Sequence, residues 1–125
     1  MKIFRLLLST VAALAFSATA FAQDVPVKKA DDGILVTSEG MTLYTFDKDV
    51  ANSGKSVCNG GCATAWPPLS AAGATIAAPY SVVKRDDGSA QLAYKGKPLY
   101  LFASDKKAGD RNGDNVKNVW HVIKD

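Results

Sequence analysis

The ten residues from Gly40 to Asp49, GMTLYTFDKD, return 56 positions later as Gly96 to Asp105, GKPLYLFASD. Both stretches obey G-x-x-L-Y-x-F-x-x-D. The likeness reaches further than the motif. Asp31-Asp32-Gly33 precedes the first copy and Asp86-Asp87-Gly88 the second; Trp66 follows Asp49 by 17 residues and Trp120 follows Asp105 by 15. Each half therefore reads D-D-G, strand, Gly, strand bearing the motif, loop, Trp. With two copies only, this is an internal duplication and not a solenoid. Two half-units that each present an apolar face are expected to pack on one another around a shared, sheet-based core.

Local patterns agree with a mainly β chain. Ile34 to Thr37 is β-branched, Ser38-Glu39-Gly40 is a turn, and Met41 to Phe46 is the return strand. Alternation sends Leu43 to one face and Tyr44 with Phe46 to the other, so both faces are apolar and both should be covered. In the second half, SVVKR and the run after Asp87-Gly88 form a hairpin, Lys95-Gly96 turns into KPLYLF, and VWHVI is the last strand. Residues 59–65 can form a turn or two of helix, which Pro67-Pro68 would stop. The expected architecture is a single β-rich domain over 33–125, with pseudo-symmetric hairpin-based repeats at about 31–69 and about 81–123. A small-residue linker at about 70–80 joins them, and a short helix lies near the cysteines. Residues 23–32 are expected to be a flexible lead-in.

The first residues carry a different signal. MKIFRLLLSTVAALAFSATAFAQ has Lys2 and Arg5, then an apolar run, then Ala20-Phe21-Ala22 before Gln23. This is the pattern of a secretory signal peptide over 1–22. The apolar core is short for a bilayer, which needs about 20 such residues. The expected product is exported to the periplasm or secreted, is monomeric, and is not inserted in the membrane. Without Lys2 and Arg5 the balance is 13 basic against 12 acidic residues. A surface so near neutral gives no reason to invoke nucleic acid.

Four sets of residues are candidates for chemistry. Tyr44, Phe46 and Asp49, with Trp66, and their counterparts Tyr100, Phe102 and Asp105, with Trp120, could form aromatic platforms for a cation or a flat ligand. They could equally fill the core, with the aspartates accepting turn N–H groups, a tyrosine hydroxyl or an indole N–H. The structural reading explains why both halves keep the set. Cys58 and Cys62, exported together, are expected to form a disulfide. The alternatives are a redox pair, which usually has C-x-x-C at a helix start and not C-x3-C in a β-rich chain, or a metal site, which would want more sulfur or imidazole nearby than the sequence places, Met41 and His121 being the candidates. Asp110, Asn112 and Asp114 fall at the first, third and fifth positions of a calcium loop, whose sixth and twelfth positions then fail at Asn115 and His121. They are weak metal candidates. His121 stands in a strand without a nucleophile or phosphate loop to accompany it. No cofactor and no catalytic residue is expected.

The two Y-x-F-x-x-D copies and the intervening CNGGCATAWPPL resemble a bacterial family of secreted repeats or predicted lipoproteins, defined by a Y-x-[FWY]-x-x-D motif. The resemblance runs over roughly 33–123. It differs in having no cysteine at the signal-peptide junction, where many members carry a lipid. The resemblance implies a small envelope protein without an established activity. The combined expectation is a non-catalytic binding or interaction module of the cell envelope, whose partner is an envelope protein or a small ligand; the rival is a periplasmic metal or redox protein using Cys58 and Cys62.

Overall fold

A computed structural model describes residues 25–125. The signal peptide expected at 1–22 lies outside the described residues. Strand β1 (Val27–Lys29) pairs antiparallel with β2 (Leu35–Thr37). Strand β3 (Tyr44–Phe46) pairs antiparallel with the last strand, β7 (Trp120–Val122). Between them lie helix α1 (Gly61–Ala65) and an antiparallel sheet of β4 (Tyr80–Lys84), β5 (Ala90–Tyr94) and β6 (Lys97–Pro98). A short 3-10 turn, Val116–Asn118, precedes β7. Isolated bridges such as Val36 to Thr42 and Tyr44 to Tyr100 join these small sheets. The fold is mainly β and antiparallel, with the helix beside the cysteines.

The lead-in requires correction. Val27–Lys29 is a strand and not a flexible tail, in register with Leu35–Thr37. Alternation is hard to see there because Lys28 and Lys29 are exposed and Val27 is only half-buried. Their order comes from hydrogen bonding to β2, which a local composition rule cannot see.

The D-D-G turns are built alike. In each half the residue before the first aspartate donates to the residue after the glycine: Ala30 N–H to Ile34 O at 2.8 Å, Arg85 N–H to Ser89 O at 2.9 Å. The second aspartate of each turn accepts a nearby backbone N–H, Asp32 from Ile34 and Asp87 from Ser89. The glycines close the turn at φ 86° and 85°, a region that side chains disfavour.

The strand carrying the motif separates two apolar clusters, as its doubly apolar pattern requires. Leu43 and Leu99 enter one, with Leu35, Leu69, Leu92 and Tyr94. Tyr44 and Tyr100 enter the other, with Phe46, Cys58, Trp66 and Trp120. At about 25 cal/mol per Å² of apolar surface, such large buried rings supply much of the stabilisation available to a chain this small.

Candidate functional site

The motif side chains meet at the boundary between the halves, and they meet crosswise. The hydroxyl of Tyr44 donates to Asp105 Oδ2 at 2.6 Å, and that of Tyr100 donates to Asp49 Oδ2 at 2.6 Å. Each tyrosine is thus bound to the aspartate of the other repeat. The second carboxylate oxygen accepts a backbone N–H from its own half: Asp49 from Val57 at 2.8 Å, Asp105 from Asn112 at 3.0 Å. Between the tyrosines, the backbone bonds are reciprocal, Tyr44 N–H to Tyr100 O and Tyr100 N–H to Tyr44 O, both 2.9 Å. These paired contacts define an approximate two-fold relation passing between Tyr44 and Tyr100.

The rings obey the same relation. Phe46, Trp120, Trp66 and Phe102 form one continuous stack, with centroid separations of 4.2, 3.8 and 4.1 Å. The two indoles at its centre are almost parallel, 3° apart. Tyr44 meets Trp66 edge-on at 5.4 Å, and Tyr100 meets Trp120 edge-on at 5.1 Å. The tryptophans are exchanged as well: Trp120 follows the second motif yet pairs with β3 of the first, while Pro67 and Pro68, after Trp66, bind the segment of Tyr100. Burial, and then the hydrogen bond to a carboxylate, push both tyrosine hydroxyls well above the usual phenol range.

The sequence allowed the aspartates backbone, hydroxyl or indole donors. Backbone and hydroxyl donors are the ones used. Neither indole N–H donates a hydrogen bond to another described residue, and neither is a buried atom without a partner, so each N–H remains in touch with solvent.

An arginine that the sequence reading missed supports one end of this array. Arg85 is buried, and its guanidinium donates to Ser56 Oγ at 2.9 Å, to Gln91 Oε1 at 2.7 Å, to the carbonyl of Cys58 and to Asn59. Ser56 Oγ lies 2.5 Å from the Tyr100 hydroxyl, so the chain runs from Arg85 through Ser56 and Tyr100 to Asp49. Arg85 lies two residues beyond buried Val83, which was the available signal. Alternation alone gives an inward direction and not the four acceptors that receive the head group.

Cys58 and Cys62 are bonded to each other. Both sulfurs are thereby engaged, which removes the thiolates that the rival metal reading needed. The bridge ties the residues before α1 to the helix that leads into Trp66. The acidic loop does not converge. Asp110 accepts the N–H groups of Lys106 and Lys107, Asp114 accepts that of Val122, and Asn112 contributes its backbone N–H to Asp105. Among the described residues, no three His, Cys, Asp or Glu side chains are grouped to hold a metal. His121 does meet a carboxylate: Nε2 is 2.8 Å from Asp47 and Nδ1 is 3.1 Å from Asn115. That pair lies on the exposed surface.

One open feature coincides with the repeat relation. A groove of about 350 Å³ lies between α1 and the 3-10 turn. Trp66 and Trp120 line it together, Cys62 is matched across it by Val116, and Ala65 by Val119. Lys48 and Lys117 complete its border. Its volume falls at the small end of the range for ligand sites.

Residues 26–70 and 81–124 each match the family described as a secreted repeat of unknown function. The chain belongs to that family. The two matches coincide with the two halves that exchange tyrosine, aspartate and tryptophan contacts, so the family's unit is the half. The family's description supports a secreted protein. No curated protein and no solved structure matches the chain.

Proposed function

We propose that this protein is a non-catalytic binding module of the bacterial cell envelope, working in the periplasm or after release from it, and that the groove between the repeats is its binding face. One observation carries the reading. The tyrosines and aspartates of the repeated motif are buried and hydrogen-bonded to one another, which favours an architectural role for them, and the open chemistry around them is the groove bordered by Trp66 and Trp120. The His121–Asp47 pair stands apart on the surface and has no nucleophile beside it, which favours binding over catalysis. The N-terminal pattern ending at Ala20-Phe21-Ala22, without a cysteine, supports export as a chain beginning at Gln23.

The two tryptophans make the test direct, since a ¹⁵N-labelled sample gives one indole N–H signal for each. Fractions of native envelope extract and culture medium are added to the mature protein. At least one fraction is expected to shift both indole signals. If every fraction leaves them in place, the groove is not the binding face. The location is checked by intact mass of the exported protein. A mass that retains residues 1–22, or that carries a lipid, overturns it.

A further inference from the structure

Six of the residues that line the groove occur in pairs, whereas Phe46, Gly61 and the two lysines have no counterpart in it. Trp66 is matched by Trp120, Cys62 by Val116 and Ala65 by Val119, as a duplicated architecture demands. Counting back from the motif aspartates sets Lys48 opposite Ser104. Counting back from the tryptophans sets Lys117 opposite Ala63. Neither counterpart is a cation: Ser104 stands in the second copy of the motif, and Ala63 lies in α1 where the other half has the 3-10 turn, so the duplicated pattern does not itself call for these lysines.

Three further observations concern the same place. The residues lining the groove include Lys48 and Lys117 and no acid. The carboxylates adjoining Lys48 are engaged elsewhere, Asp47 with His121 and Asp49 with Tyr100, and neither lysine enters an ion pair among the described residues. The backbone that presents Lys117 is left-handed at three residues without glycine, Asn115, Lys117 and Asn118, at φ 64°, 52° and 56°. Asparagine tolerates that region; a lysine disfavours it and keeps it only where its surroundings hold it there.

We infer that the groove binds a small amphipathic anion: a flat apolar body lying against the indole edges, with a carboxylate held between Lys48 and Lys117. This rests on the groove being the binding face. The apolar walls accept the body of such a molecule. The two ammonium groups supply the donors for its charge. A neutral ligand of the same shape leaves the lysines unanswered, so the charge is the selective element.

The test uses the mature, disulfide-intact protein and 2-naphthoate as the probe, followed at the two indole N–H signals. Both signals are expected to move on titration. Binding should weaken about tenfold or more for the uncharged 2-naphthamide, and by a similar factor in the Lys48→Gln/Lys117→Gln variant. The Lys48→Arg/Lys117→Arg variant should retain it, and added salt should weaken it. Equal affinity for naphthoate and naphthamide, or unchanged affinity in the glutamine variant, overturns the anion assignment while leaving the groove as a binding face. Indole signals unmoved by millimolar naphthoate overturn the inference as well. The envelope-fraction titration then shows separately whether the groove binds anything else.

Discussion

Truncating Asp49 or Asp105 would leave a buried tyrosine hydroxyl and a backbone N–H without their acceptor. Each Asp→Ala change is expected to cost about 1–3 kcal/mol, read by chemical denaturation. The crossed geometry makes a sharper statement possible. A double-mutant cycle between Tyr44→Phe and Asp105→Ala should give a coupling of about 0.5–3 kcal/mol, as should Tyr100→Phe with Asp49→Ala. The pairing of Tyr44 with Asp49, neighbours in sequence, should couple far less. Equal coupling within and between repeats would contradict the exchange. The same tyrosines set an alkaline limit. Their hydroxyls titrate well above an exposed phenol, because burial and the adjacent carboxylate disfavour the phenolate. The folded state therefore holds these protons more tightly than the unfolded chain. Their contribution is fully present below about pH 10, the unfolded tyrosine value, and is lost as pH rises from there toward the folded value. Denaturation series between pH 8 and 11.5 should show stability falling above pH 10 by about 1–3 kcal/mol per unit, and the Tyr44→Phe/Tyr100→Phe variant should flatten that slope. Arg85 is the other residue whose loss should be severe. Arg85→Ala strands acceptors at Ser56, Gln91 and Cys58 and should cost about 3–5 kcal/mol, with Arg85→Lys a poor substitute because one ammonium cannot reproduce the fork.

The halves place different elements around equivalent tryptophans. The first half uses a bridged helix, and the second a glycine and a 3-10 turn. Val57 and Asn112 hold corresponding aspartates, so Cys58 and Gly113 are corresponding positions one residue on. A Cβ on Gly113 would sit 2.7 Å from the Trp66 ring, and something would have to move. Gly113→Ala is therefore expected to destabilise by about 1–3 kcal/mol through overpacking, and to shift the Trp66 indole signal. The disulfide closes a very short loop, so reducing it should cost no more than about 2 kcal/mol. Reduced protein should keep its fold, while α1 and the groove wall at Cys62 become looser, seen as faster amide exchange over 58–66. Phe46 is buried and Phe102 only partly so, although they end the same stack. Phe46→Ala should approach the 3–5 kcal/mol of a buried ring, and Phe102→Ala should fall clearly below it.

At the scale of the molecule, the exchange of partners means that neither repeat completes its own core. A single half has its tyrosine without the bound aspartate, its motif segment without the paired tryptophan segment, and one indole of the stacked pair. Fragments 25–75 and 76–125 are expected to be unfolded alone by circular dichroism. Mixed, they should regain the signals of the intact chain, since the tyrosine–aspartate bonds and the stacked indoles lie between them. A half that folds alone would contradict this account. The linker's role is then to raise the effective concentration of one half near the other.

Much of this could be read from residue order alone. The duplication, the turns at Asp-Asp-Gly, the motif strand apolar on both faces and the nearby cysteines all depend on local spacing, and spacing is what a sequence displays. The architectural part of the motif was legible because a duplicated chain keeps twice what its core needs. Other features depended on distance in space. That Tyr44 belongs to Asp105 and Tyr100 to Asp49 follows from how two similar halves dock, and both arrangements have the same residue spacing. That Val27–Lys29 is a strand follows from hydrogen bonds to β2, and that Arg85 can be buried follows from four acceptors converging from separate segments. The groove arises only where α1 and the 3-10 turn of opposite halves come together over the indoles. Local pattern determined most elements of each half, β1 excepted; docking decided their partners, because hydrogen-bond satisfaction and ring packing are properties of groups brought together from distant parts of the chain.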